Sequence, residues 1–135
     1  MSSVVIRKLF EQALNNINPP IETAFENAGY SPRNGVPYQS ANVLLAQPEN
    51  PTLSPGFHRE VGIFQVSLRY PANQGTGLVQ ARAEILRVVF ARGVTLTEGQ
   101  ISVRVSATPE IAPGRADGDR WVVPVKIRFF ANVFE

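Results

Sequence analysis

The stretch from Phe64 to Phe90 restricts the fold more than any other part of the chain. Phe64, Val66, Leu68 and Tyr70 alternate with Gln65, Ser67 and Arg69, the two-residue period of a strand buried on one face. Pro71 has no main-chain donor and is expected to end the strand. Residues 72–77, with Gly75 and Gly77, read as a turn. Beyond them Leu78, Ala81, Ile85, Leu86 and Val89 recur at steps of three and four, a helical spacing. One short segment therefore calls for a strand, a tight turn and an amphipathic helix lying back on a sheet.

The flanking segments supply the rest of such a fold. Ser3 to Ile17 carries Ile6, Leu9, Phe10, Ala13, Leu14 and Ile17 on one helical stripe, and Asn18-Pro19-Pro20 stops it. Ile21 to Asn27 reads as a short strand, and Tyr38 to Ala46 as another with Ala41, Val43 and Leu45 inward. Asn34-Gly35 between them has hairpin-turn chemistry. His58 to Tyr70 is a long central strand. Thr76 is placed to cap the second helix and Arg92-Gly93 to end it. Val94 to Leu96 and Gln100 to Ala107 form a hairpin around Thr97-Glu98-Gly99. Glu110 to Asp119 reads as a flexible segment, and Arg120 to Phe134 as the last strand, with Trp121, Val123, Val125, Ile127, Phe129 and Ala131 inward. Pro124 suggests an edge or a bulge. The expected fold is α+β: a mostly antiparallel sheet of four to five strands with two helices packed on one face. With 135 residues and 44% hydrophobic content, residues 1–135 are expected to form a single domain.

The second face of that sheet is unusual. Val122, Pro124 and Phe130 interleave with Lys126 and Arg128 in the last strand, so it is apolar in patches on both sides. Two helices cover one face only, and a second copy of the chain is expected to cover the other. Charged residues are 18% of the chain, and 11 of its 13 basic residues are arginines, since Lys8 and Lys126 are the only lysines. Both features suit interfaces, because arginine tolerates partial burial. Gln47 to Gly56 holds three prolines in ten residues. It reads as a loop tip or as an arm reaching a neighbour, with Leu53 and Phe57 as its apolar anchors. Leu53, Phe57, His58, Arg59, Val122, Pro124 and Phe130 are the candidate interface residues. Arg69, Arg104 and Arg128 fall on outward positions of three strands, as candidate DNA-facing or interface arginines.

Chemistry is sparse. The absence of cysteine removes disulfides, thiolate metal sites and cysteine nucleophiles, and the single histidine, His58, cannot build a histidine cluster. Gly75-Thr76-Gly77 precedes a helix, but Leu78-Val79 follows where a phosphate-binding loop needs lysine and a hydroxyl residue. Asp117-Gly118-Asp119 lacks the further oxygen ligands of a calcium loop. His58 and Glu60, two apart on a strand, read as a solvated pair. No enzyme, cofactor or metal is expected. A net charge of +2 does not indicate nucleic-acid binding. The N-terminal residues, MSSVVIRKLFEQ, lack the apolar run of a signal peptide. No segment has the ~20 apolar residues of a membrane span, so no membrane partner is expected.

The order of certain motifs resembles a known family. They are Glu26-Asn27, Gly35-Val36-Pro37-Tyr38, Gly62-Ile63-Phe64-Gln65-Val66, Tyr70-Pro71 with Gly75 and Gly77, Arg92-Gly93 and the final WVVPVKIRFFANV. This series resembles the tail terminator (minor tail protein) family of lambda-like bacteriophages with long, non-contractile tails. Thr76 departs from the acidic residue that many relatives carry before the second glycine. The resemblance implies a non-enzymatic virion protein, assembled in the bacterial host cytoplasm, that forms a hexameric ring on the head-proximal end of the tail tube. Such a ring ends tube polymerisation and presents a surface to the head connector or completion protein. Viral DNA passes through the lumen without sequence-specific binding. A head–tail connector or stopper of the same virion is the alternative, and a small-ligand or nucleotide-binding module using Gly75-Thr76-Gly77 is a third reading.

Overall fold

The computed structural model describes residues 2–26, 28–53 and 55–134; Asn27 of the motif series lies outside them. Among the described residues two helices, α1 (Ser2–Asn15) and α2 (Gly77–Val89), accompany eight strands: β1 (Glu22–Phe25), β2 (Tyr38–Leu45), β3 (Phe57–Pro71), β4 (Thr95–Glu98), β5 (Ile101–Val105), β6 (Glu110–Ile111), β7 (Arg115–Asp117) and β8 (Arg120–Phe134). The class is the expected α+β, but the strands outnumber the expected four to five. All belong to one sheet, in the order β1-β2-β3-β8-β5-β4, with β6 and β7 also paired to β8.

The long antiparallel pair of β3 and β8 forms the spine, in register from Phe57 opposite Phe134 to Pro71 opposite Arg120. On its other edge β8 receives β5, β6 and β7 in turn. The last two strands lie in the segment expected to be flexible. They are only two and three residues long and contain no apolar alternation, so periodicity could not reveal them. Between them residues 112–114 face only residues 123–124, leaving one residue extra, a local bulge. Pro124 sits at this break. Its carbonyl accepts the Ala112 N–H at 2.9 Å, and its missing donor faces the same interrupted side.

β1 runs parallel to β2, not antiparallel. Asn34-Gly35 does form a turn, with Val36 N–H donating to the Arg33 carbonyl at 3.2 Å and Gly35 at a φ of 76°. It turns within a crossover loop and not a hairpin, as a parallel pair requires.

Both helices pack on one face. Phe10 of α1 stacks on Phe64 at 4.6 Å between ring centroids and meets Phe129 at 4.8 Å. Phe90, at the end of α2, closes the cluster against Phe10 and Phe64. All four rings are at most 1% exposed. In α1 the expected stripe is the buried one. In α2 the buried set is Val79, Arg82, Ala83 and Leu86, rotated by about one residue from the expected face, so that Leu78 is 68% exposed. The true stripe contains an arginine, which a search for apolar spacing passes over.

Burial of Arg82 lowers its pKa, against a smaller opposing effect from Tyr70. Its Nη1 donates to the Pro19 carbonyl, so it ties α2 to the chain leaving α1. Thr76 occupies the N-cap position of α2 but makes no side-chain hydrogen bond there. The C-terminal cap is Phe90. Gly93, at a φ of 94°, instead turns the chain so that its N–H donates to the Val105 carbonyl at 2.8 Å.

Candidate assembly surfaces

The outer face of the sheet divides into a covered end and an open end. At the covered end Arg120, 6% exposed, lies with its guanidinium 5.0 Å from the Tyr38 ring centroid. It donates to the carbonyls of Val36, Arg33 and Arg69, the Arg33 bond at 2.7 Å. Tyr30 packs on Tyr38 at 5.1 Å. These bonds fold the loop over residues 28–37 back onto the sheet. The expectation that only another copy covers this face is thus corrected: the chain covers one end itself, by a loop of turn residues fixed to a buried arginine. Val122 lies on this face, buried at 1%.

At the open end, Leu44 of β2 is 51% exposed and stands opposite Ile63 of β3. Phe130 is half-buried, with Arg59 stacked on it at 4.9 Å, and Arg59 Nε also donates to Asn132 Oδ1 at 3.0 Å. Phe57 packs on Phe134 at 4.8 Å, leaving Phe134 54% exposed. Leu45, expected inward, is 40% exposed beside an open depression of about 440 Å³ lined by Leu44, Val61, Ile63, Arg128 and Phe129.

The 47–56 segment prolongs the β2–β3 hairpin irregularly. Glu49 and Arg59 exchange both main-chain hydrogen bonds, at 2.8 and 2.9 Å, and the chain beyond them carries a fully exposed Leu53. Prolines at 48, 51 and 55 keep it from extending the ladder. His58 and Glu60 point to the helix side. Their side chains meet at 3.0 Å and are 20% and 11% exposed, so the pair expected to be solvated is mostly buried.

Arg69, Arg104 and Arg128 all lie on the outer face. Arg69 pairs with Asp117 at 3.2 Å and Arg128 with Glu110 at 3.0 Å. Arg104 stands across from Phe130 with no carboxylate partner among the described residues. Arg69 lies opposite Val122, six residues along β8 from Arg128, or roughly 20 Å. Sequence reading missed Arg92, which shares an open depression with Arg104 and Phe130. Its position after a helix carries no periodic signal. Among the described residues no group of three or more His, Cys, Asp or Glu side chains is placed to hold a metal ion. No helix among them is long and apolar enough to cross a membrane.

The profile of a family described as phage tail terminator protein matches residues 5–129. The chain belongs to the phage tail terminator family. That family is one of structural proteins, so the terminator-like chain has a structural role in tail assembly and is a component of the virion tail. A solved structure 22% identical in sequence aligns with 100% of this chain and 97% of its own, with a TM-score of 0.76. It shows that the fold is shared. No curated protein matches the chain in sequence.

Proposed function

We propose that the chain assembles as a ring, of six copies, on the head-proximal end of the tail tube, where it ends tube polymerisation and presents the surface that receives the head completion protein. The family match across residues 5–129 carries this reading. The open end of the outer face supports it: Leu44, Phe130 and Phe134 expose apolar surface next to the projecting Leu53. A head-to-tail contact of these parts with a neighbouring copy closes into a ring. Leu53, Phe57 and Arg59 are the residues proposed to meet the neighbour, and viral DNA passes through the lumen without base-specific contacts.

The test is electron microscopy and light scattering of the protein at high concentration, with and without purified tail tubes. Rings, free or on tube ends, are expected, and deletion of the gene is expected to give overlong tails. Monomers only, with tubes present, would overturn the reading. Normal tails with heads that leak DNA would assign the stopper role instead.

A further inference from the structure

The outer face of the sheet also divides lengthwise. On the β2 and β3 side its surface at the open end is apolar, from Leu44, Val61 and Ile63. Across β3 from that line, β8 with β5, β6 and β7 carries charge. Residues opposite one another in a ladder share a face. Arg104 of β5 is opposite Phe130 and Arg115 of β7 is opposite Val122, so both point outward with Lys126 of β8. Arg92 joins Arg104 in the depression beside Phe130. The carboxylates of this strip each have a cation beside them already. Glu110 meets Arg128 at 3.0 Å, Asp117 meets Arg69 at 3.2 Å, and Asp119 lies 4.0 Å from Arg120. Glu49, which pairs with Arg59, prolongs the β2 side. Arg92, Arg104, Arg115 and Lys126 form no ion pair among the described residues and are the unbalanced charge of the strip.

These cations are evenly spread. Arg115 stands level with Val122, Lys126 lies four residues further along β8, and Arg104 is level with Phe130, four more. At strand rise the intervals are roughly 13 Å and the row roughly 27 Å long. A folded partner presents carboxylates at scattered points, whereas duplex DNA carries a negative charge for every ~1.7 Å of its axis. Each cation of a row this long therefore finds a phosphate. The strip offers little to an unpaired base, because its aromatic ring, Phe130, is half-buried with the Arg59 guanidinium over it, where a base would stack. The net charge of +2 conceals the strip by averaging it with carboxylates elsewhere in the chain.

We infer that the β8 strip is the surface this chain turns to duplex DNA, and that Arg92, Arg104, Arg115 and Lys126 hold its phosphates without reading bases. The inference rests on the ring reading above for the DNA that passes the subunits, and it names the lining of the lumen. The apolar line on β2 and β3 stays free for a neighbouring copy, with Phe130 on the border between the two. Phosphate contacts carry no sequence information and let a protein slide along the duplex, which suits DNA in transit.

Fluorescence anisotropy of a labelled duplex of about 30 base pairs tests it in the full chain, with circular dichroism checking the fold of each variant. With the phosphates at these cations neutralised, wild-type affinity is expected to fall about 100-fold between about 50 and about 200 mM salt. In Arg104→Gln with Lys126→Gln the fall is expected to shrink to about tenfold. Lys8→Gln with Arg33→Gln removes the same charge elsewhere and is expected to keep the wild-type salt dependence. No duplex binding by the wild type at low salt, or full salt dependence in the Arg104/Lys126 variant, would overturn the strip as a DNA surface while rings seen by electron microscopy stand. An equal loss in the Lys8/Arg33 variant would overturn it as well, by showing a general effect of charge. Tighter binding of a single-stranded oligonucleotide, or of polyglutamate, would overturn the duplex and assign the strip to unpaired bases or to an acidic protein. Duplex binding by a protein that forms no rings, even on tail tubes, would remove the ring reading and leave the strip.

Discussion

The Glu26 carboxylate accepts the main-chain N–H of Val43 at 2.7 Å. The pairing of β1 with β2 ends at Phe25 opposite Ala41, so a side chain takes over where the strand stops. The same oxygen receives Arg7 Nη1 of α1 at 2.6 Å, joining helix, strand and sheet edge at one atom.

That arrangement gives stability an acid limb. The Arg7 hydrogen bond, helped by Val43 and opposed by some burial, holds the Glu26 pKa below its ordinary 4.5. A carboxylate with a depressed folded pKa stabilises the fold fully above its unfolded pKa. That contribution is lost as pH falls through the folded one. Glu11 has the opposite sign, because burial raises its pKa and protonation relieves its cost. Urea midpoints measured between about pH 7 and about pH 3 are expected to fall on acidification, and less steeply in Glu26→Gln than in the wild type. Equal slopes would show that Glu26 does not set the limb.

Arg120 holds the 28–37 loop by three main-chain carbonyls and a ring. Arg120→Ala removes these hydrogen bonds and the ring contact that hold the loop to the sheet, and is expected to cost about 2–4 kcal/mol. At this chain length that lowers Tm by roughly 8–15 °C, measurable by calorimetry. Arg120→Lys cannot donate in three directions from a planar fork and is expected to recover less than half the loss.

Gly62 permits close approach and not an unusual turn. A Cβ there would lie 2.4 Å from the Leu44 carbonyl oxygen and 3.1 Å from Phe129 Cζ. The first is main chain inside a paired ladder and has nowhere to move. Gly62→Ala is expected to destabilise by about 1–3 kcal/mol in denaturant titrations.

Leu53 is fully exposed, so Leu53→Ser is expected to leave stability within about 0.5 kcal/mol. If the arm reaches a neighbour, the same change weakens ring assembly, as does replacing residues 50–55 with a Gly-Ser run of equal length. Unchanged tail length in a phage carrying either variant would remove the arm from the interface.

How far the sequence was legible follows from what periodicity can detect. Phe64, Val66 and Leu68 announce β3, and Ile6, Phe10 and Leu14 announce α1, because their spacing is the fold's own. The α2 stripe was displaced because Arg82 stands in it, paired with a carbonyl that lies 63 residues away in sequence. β6 and β7 are too short to have a period. The cover of the outer face depends on Arg120 reaching carbonyls 84 and 87 positions earlier, and no local pattern reports such a distance. The arginines of the open face were partly readable, since Arg104 and Arg128 occupy outward strand positions, whereas Arg92 lies in a connection and gains meaning only from the β5–β8 pairing.

The arrangement around β8 also bears on when the fold can form. Four strands pair with this one element: β3 along its full length, and β5, β6 and β7 on the opposite edge. During synthesis β3 and β5 wait with open edges until residues 120–134 leave the ribosome, since both need β8 as their neighbour. Pairing partners so distant in sequence fold slowly, and open strand edges invite wrong partners in the interval. A chain truncated before β8 loses the one strand to which β3, β5, β6 and β7 all pair, and with it the spine of the sheet.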